Sequence, residues 1–164
     1  MREKRLVYLD HAAATPLDPK VKEAMMPYLE NEYGNPGGIY SVGRAAKEAL
    51  DDARDTVAKL LGCTAAEIIF TGSGTESDNL ALLGVAHGYG KGHIITTNFE
   101  HHAVINPCKA LLKAGYEVTY LEVDTDGLIS PEQLKAAIRP DTILISIMYA
   151  NNEVGTIEPI KELT

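Results

Sequence analysis

An α/β fold, a mainly parallel sheet with flanking helices, is what this sequence predicts, and three observations carry the prediction. From Glu67 onward short apolar runs alternate with stretches of helical period, the β-then-α repeat that builds a parallel sheet. Runs such as Thr142-Ile143-Leu144-Ile145-Ser146-Ile147-Met148 are apolar on both faces, as a strand covered on either side by helices must be. Ser41 to Leu61 spaces Val42, Ala45, Ala46, Ala49, Leu50, Ala53, Val57, Leu60 and Leu61 along one helical face, and this should be the longest helix. At 164 residues and 45% hydrophobic, the chain is long enough for one cored domain, the default organisation.

The elements follow in order. Leu6 to Leu9 reads as a short apolar strand and His11-Ala12-Ala13-Ala14-Thr15-Pro16, with little bulk to bury, as a loop. Asp18-Pro19 supplies an N-cap and a proline at the first helical position, opening a helix to about Glu30. Asn31 to Gly43, punctuated by Gly34-Asn35-Pro36-Gly37-Gly38, reads as a long mobile loop. Past the 41–61 helix the pattern predicts strands over 67–71, 93–97, 116–123 and 142–149, with helices over 75–87, 102–114 and 131–138 between them. Ser130-Pro131-Glu132-Gln133 joins an N-cap, an early proline and a capping-box partner at the start of the last of these helices. Glu158 to Thr164 opens like another helix, with Pro159 early, but offers barely one turn, too little to stand alone. The expectation is that the rest was removed or that a second chain supplies it.

A formal net charge of −8 sets the average field against a phosphate backbone or an anionic lipid surface, so neither nucleic acid nor membrane is an expected partner. No run approaches the ~18 consecutive apolar residues needed to span a bilayer. The opening Met1 to Asp10 reaches an acid too soon for a signal peptide, and a cytosolic protein is expected. Cys63 and Cys108 lie far apart without CxxC spacing, which suggests neither a disulfide framework nor a zinc knuckle; both read as reduced, small apolar residues.

Thr71-Gly72-Ser73-Gly74-Thr75-Glu76-Ser77-Asp78-Asn79 is the most informative stretch, because it joins the predicted strand end at Phe70 to a helix start. Gly72 and Gly74 permit a tight turn, Ser73 and Thr75 offer hydroxyls, and the free amides of a first helical turn face any anion held there. Ser73 and Glu76 also fit a capping box, so a plain capped helix is the competing reading. The stretch is neither a P-loop nor a dinucleotide fingerprint. Ligands of parallel sheets gather at the carboxyl ends of strands, which adds three more segments: Asn98-Phe99-Glu100-His101-His102, Tyr149-Ala150-Asn151-Asn152-Glu153-Val154-Gly155, and Asp10-His11. A histidine beside a helix start, His101, suits stacking on a flat ligand or moving protons, or it simply caps the helix. Asn151 and Asn152 either hydrogen-bond a ligand's oxygens or tie a turn. No cluster has metal-ligand spacing.

The segments Tyr8-Leu9-Asp10-His11-Ala12-Ala13-Ala14-Thr15-Pro16, Gly34-Asn35-Pro36, Thr71 to Asn79, Glu100-His101-His102-Ala103-Val104 and Asn151-Asn152-Glu153-Val154-Gly155 occur in this order in the NifS/IscS-like cysteine desulfurases. Over essentially its whole length the chain resembles the N-terminal half of that family. The resemblance implies part of the large domain of the aspartate-aminotransferase fold, fold type I of the pyridoxal-phosphate enzymes, with an N-terminal segment over 1–15 and the partial large domain over 16–164. It implies pyridoxal 5′-phosphate as cofactor, L-cysteine as substrate, alanine and an enzyme-bound persulfide as products, a homodimer in the complete enzyme, and an iron–sulfur scaffold or other sulfur acceptor as partner. By that resemblance Gly74 and Thr75 would hold the cofactor phosphate. His101 would stack on the pyridine ring and take part in proton transfer, and Asn152 would bind the ring's phenolic oxygen near the substrate carboxylate.

Departures narrow these expectations. Relatives commonly read Gly-Asn-Pro-Ser-Ser-x-His where this chain has Gly34-Asn35-Pro36-Gly37-Gly38-Ile39-Tyr40, losing two hydroxyls and an imidazole. The family's pyridinium-pairing aspartate, its Schiff-base lysine, an arginine for the substrate carboxylate and its sulfur-accepting cysteine belong to the pattern's later part. No residue here matches them, Cys63 and Cys108 included, so the chain is expected to be inactive alone. The alternatives are a selenocysteine lyase or other class V aminotransferase-type enzyme, a non-catalytic binding module or assembly partner, and a nucleotide-binding doubly wound domain. A sheet lacking its remaining strands is also expected to expose apolar edges and to associate, or dissolve poorly, without a partner.

Overall fold

In the computed structural model, which describes residues 7–164, the chain forms two units, one ending at Phe70 and one running from Thr71 to Thr164. The first is helical. Asp18 accepts the Lys20 amide at 2.7 Å with Pro19 behind it, and helix α1 (Pro19–Glu30) begins there, as the N-cap chemistry predicts. Helix α2 (Ser41–Leu61) has the predicted bounds and is the longest; it ends on Gly62, whose φ of 71° is left-handed and strained for any side chain. The segment before α2 folds tightly onto its start: a Cβ at Gly43 would meet the carbonyl oxygens of Gly38 and Asn35 at 2.6 and 2.7 Å. α1 buries no residue and α2 only Gly43 and Ala58, so apolar side chains such as Leu29, Leu60 and Leu61 stay exposed.

Two expected strands do not form among the described residues of this unit. Val7 to Leu9 form none and are exposed, while Leu6 lies outside the described residues. The strand expected over 67–71 does not form either. Glu67 ends a short 3-10 turn, Ala65–Glu67, held because its carboxylate accepts both the amide and the hydroxyl of Thr64 at 2.8 and 2.7 Å. Ile68 follows in extended conformation, but no ladder partner exists for 68–70 among the described residues, and Ile69 and Phe70 remain exposed. Apolar patterning cannot make a strand without a neighbour to receive its hydrogen bonds.

The second unit carries the α/β pattern. Helix α3 (Gly74–Tyr89) leads to strand β1 (His93–Thr97), helix α4 (His102–Lys113), strand β2 (Glu117–Leu121), helix α5 (Pro131–Ala137), strand β3 (Thr142–Ile145) and a single turn, α6 (Ile160–Leu163). The sheet is parallel throughout, in the order β2-β1-β3, with a register irregularity between His93 and Ile94. Every residue of β1 is buried, the signature expected for the central strand of a covered sheet. Ile94 packs with Ala86, Leu111 and Tyr116 on the α3/α4 side, and Ile95 packs with Leu121, Ile129 and Leu134 on the α5 side.

β2 and β3 are shorter than the predicted 116–123 and 142–149 because β1 offers only five residues to pair with. Ser146 still donates to the Ile95 carbonyl at 2.8 Å, but the Met148 amide is taken by the Glu100 carboxylate instead of a strand. Helix α5 opens as its sequence predicts, with the Ser130 hydroxyl accepting the Gln133 amide at 3.3 Å. Among the described residues, no helix is long and apolar enough to cross a membrane.

Ile94 is fully buried, so Ile94→Ala removes contacts the surrounding helices cannot refill and should cost about 2–5 kcal/mol in denaturant unfolding. Leu60→Ala, at a side chain 81% exposed, should change stability by less than about 0.5 kcal/mol.

Candidate active site at the carboxyl ends of the strands

Ser73 is the N-cap of α3: its hydroxyl accepts the Glu76 amide at 3.2 Å. Glu76 does not close the expected capping box on Ser73; its carboxylate reaches one residue further and accepts the Gly72 amide at 2.7 Å. Thr71 donates to the Ser73 carbonyl at 3.0 Å and shares a hydrogen bond with the Ser77 hydroxyl, which firms the turn. The helix thus begins with the amides of Gly74 and Thr75 outside the i→i−4 ladder and with the dipole's positive end directed past them. Asn79, one turn along, donates to the Thr75 carbonyl at 2.8 Å and lies 3.4 Å from the Ala103 carbonyl, linking α3 to the start of α4.

His101 is the N-cap of α4, and its Nδ1 accepts the Ala103 amide at 3.0 Å. The capping alternative raised by the sequence is therefore real, and it has a chemical corollary. With Nδ1 engaged as an acceptor, the neutral ring carries its proton on Nε2, which is left to meet a ligand. Thr75 and His101 line one hollow of about 490 Å³, which also takes in Asn79 and His102. His101 and His102 are shared with a second hollow of about 370 Å³ bordered by Asn98, Glu100 and Asn152. Three of the four sequence-named residues thus meet around His101. Gly74 lines neither hollow, and what it offers is its main-chain amide at the helix start. A roomier hollow of about 580 Å³ lies at the opposite ends of the strands, beside Gly92 and Thr142. It lacks a helix start, which leaves it a poor anion site.

The two asparagines divide the roles the sequence left open. Asn151 is buried and ties the turn: its Oδ1 accepts the Glu153 and Val154 amides at 2.8 and 3.0 Å, and its Nδ2 donates to the Phe99 carbonyl at 3.0 Å. Asn152 is exposed on the second hollow, with its amide directed to no protein partner among the described residues. His11, in the first unit, meets Tyr8 edge-to-face with ring centroids 5.1 Å apart.

Sequence reasoning gave no role to Glu100, although an acid placed between a buried strand end and a helix start is a usable signal. Its carboxylate accepts the Met148 amide at 2.6 Å. Burial pushes the Glu100 carboxyl up to about 7; the Met148 amide opposes this, while Asp78 and Glu158 add to it. Cys108, buried under α4, has its thiol pushed up to about 11, chiefly by burial, which suits an inert packing residue.

The sign of the Glu100 effect follows from linkage. Its folded value lies above its ordinary 4.5, so between those limits the folded chain holds a proton that the unfolded chain has released. Stability from this group is full below about 4.5 and is lost as pH rises to about 7. Glu100→Gln should keep an acceptor for Met148 and remove that slope, so that the melting temperature of the wild type falls by a few degrees more than the variant's between these two pH values.

The aminotransferase class-V family model matches residues 7–164. The cysteine desulfurase IscS of Dictyoglomus turgidum is 56% identical over 163 residues, 98% of this chain and 41% of that protein. The IscS of Methanosarcina thermophila is 53% identical over 98% of the chain and 40% of its own length. Among solved structures, a NifS-like protein superposes with a TM-score of 0.93 at 42% identity, covering 96% of this chain and 44% of that one. The structure described as SspA in complex with cysteine gives 0.91 at 42% identity, covering 95% and 46%. The chain spans about 40% of the length of the curated relatives it matches, and its partial α/β fold is that of the pyridoxal-phosphate fold-type-I cysteine desulfurases. The sequence motifs, the parallel sheet and these matches agree that the chain belongs to the aminotransferase class-V family, among the NifS/IscS-like cysteine desulfurases.

Proposed function

We propose that this chain is the N-terminal portion of a pyridoxal-phosphate-dependent cysteine desulfurase and supplies the phosphate seat and two of the groups that hold the cofactor ring. One observation carries the reading: Thr75, at a helix start with unengaged amides, and His101, whose Nε2 is free, border a single hollow. The donor set fits a phosphate monoester, for the Gly74 and Thr75 amides and the Thr75 hydroxyl are neutral donors at the positive end of a helix dipole. The turn's Gly72 amide already donates to an anionic oxygen, that of Glu76. When bound, pyridoxal phosphate supplies an electron sink for a substrate carbanion.

The chain's residues would act around it. Thr75 and Gly74 anchor the phosphate, and His101 lies against the ring with its Nε2–H as a hydrogen-bond donor. Asn152 donates to the phenolic oxygen near the carboxylate of L-cysteine. The lysine, the pyridinium-pairing acid and the sulfur-accepting thiol of the reaction have no counterparts among these residues, so turnover requires the portion that completes the relatives. The products would be alanine and a persulfide destined for an iron–sulfur scaffold or another acceptor, from a homodimeric, cytosolic enzyme.

The test is to mix the chain with the separately produced remainder of the 56%-identical Dictyoglomus turgidum relative and add pyridoxal phosphate, cysteine and a thiol reductant, which frees the persulfide's outer sulfur as sulfide. A visible absorbance band and sulfide release are expected from the mixture and from neither piece alone. A folded, stable complex with neither signal would overturn the proposal. Thr75→Val in the mixture should weaken cofactor binding about tenfold or more, the worth of one hydrogen bond to a charged group, in a fluorescence titration.

A further inference from the structure

His101 and Asn152, the two side chains proposed to meet the cofactor ring, each directly follow a residue to which that proposal gives no role: Glu100 and Asn151. Those two residues reach across to each other's loops. Glu100 Oε1 accepts the Met148 amide at 2.6 Å, and Asn151 Nδ2 donates to the Phe99 carbonyl at 3.0 Å. No sheet ladder does this work here, because β1 ends at Thr97 and β3 at Ile145. The spacing between His101 and Asn152 is therefore set past the end of the sheet, where these two side-chain ties are the cross-links between 99–100 and 148–151. Both lie under cover, Asn151 buried and Glu100 partly so, where a lost partner is costly.

We propose that Glu100 and Asn151 are positioning residues: a pair of cross-loop ties that fix the His101 ring and the Asn152 amide at the separation needed to hold one flat aromatic ligand by its face and its edge. The inference rests on the cofactor reading above and extends it to residues that touch no cofactor. Asn151 has two functions that can be separated. Its Oδ1 shapes the turn through Glu153 and Val154, while its Nδ2 alone crosses to Phe99. Asn151→Asp keeps the turn acceptor and deletes the tie. Glu100→Gln keeps an acceptor for Met148, and Glu100→Ala removes it.

The experiment uses the reconstituted, complete enzyme and two probes, pyridoxal phosphate and inorganic phosphate. Glu100→Ala and Asn151→Asp should each weaken pyridoxal phosphate about tenfold, one hydrogen bond's worth, and move its visible band. Both should leave inorganic phosphate binding unchanged, because that seat belongs to α3. Glu100→Gln should restore wild-type behaviour with both probes, and faster amide hydrogen exchange in Glu100→Ala should be confined to 98–102 and 148–155. Variants that bind the cofactor like wild type, that lose both probes equally, or that exchange faster throughout β1 would overturn the positioning role and leave the cofactor reading standing. A wild-type complex that takes up no pyridoxal phosphate would remove that reading, and this inference with it.

Discussion

The second unit depends on β1 being paired on both edges and covered on both faces. Its five residues are buried, its partners run parallel to it, and a fully buried histidine marks where it begins. His93 bonds through Nδ1 to the Thr142 hydroxyl on β3 at 2.9 Å and through Nε2 to the Thr119 hydroxyl on β2 at 2.8 Å, so one ring spans all three strands. Burial lowers its pKa, with nearby Arg139 acting in the same direction and Asp141 and Glu117 opposing, which favours the neutral ring that a pair of hydroxyls can satisfy. Slipping either neighbour by one residue would turn its threonine to the opposite face and strand the imidazole. A register fixed at this end also fixes where Thr97, and hence the loop carrying His101, emerges at the other.

Chemistry gathers where that support ends. Past Thr97 and Ile145 the ladder adds only the Asn98 amide to Leu121 and the Ser146 amide to Ile95, and side chains then join the backbone bonds: Glu100, Asn151 and, for the Ile129 amide, the buried Glu158. A parallel sheet stops supplying partners at the edge where ligands bind, so groups that stitch loops together are neighbours of groups that touch a ligand. This adjacency explains how Asn151 and Asn152 divide labour: successive residues in a turn point different ways, one inward to the protein and one outward to the hollow.

Much of this was legible in the sequence because local rules agreed with the tertiary outcome. Asp18-Pro19, the stripe from Val42 to Leu61, and Ser130-Pro131 each specify a helix start or face by short-range chemistry, and the structure repeats them. The 67–71 run failed for the opposite reason: its apolar pattern is that of a strand, but strandhood is a property of a pair, and Glu67 found a nearer partner in Thr64. Strand ends were overestimated at 142–149 because composition cannot reveal that Met148 will give its amide to a carboxylate 48 positions away. In the candidate site, residue type pointed to Thr75 and His101. The cross-links from Glu100 and Asn151 depend on long-range geometry that no spacing rule encodes.

The cap on α4 carries one more implication. An imidazole that ends a helix with its Nδ1 lone pair keeps that nitrogen turned to the Ala103 amide as an acceptor and leaves Nε2 facing outward. Secondary structure acts here as a tautomer selector: the same contact that starts the coil decides which nitrogen faces the solvent armed.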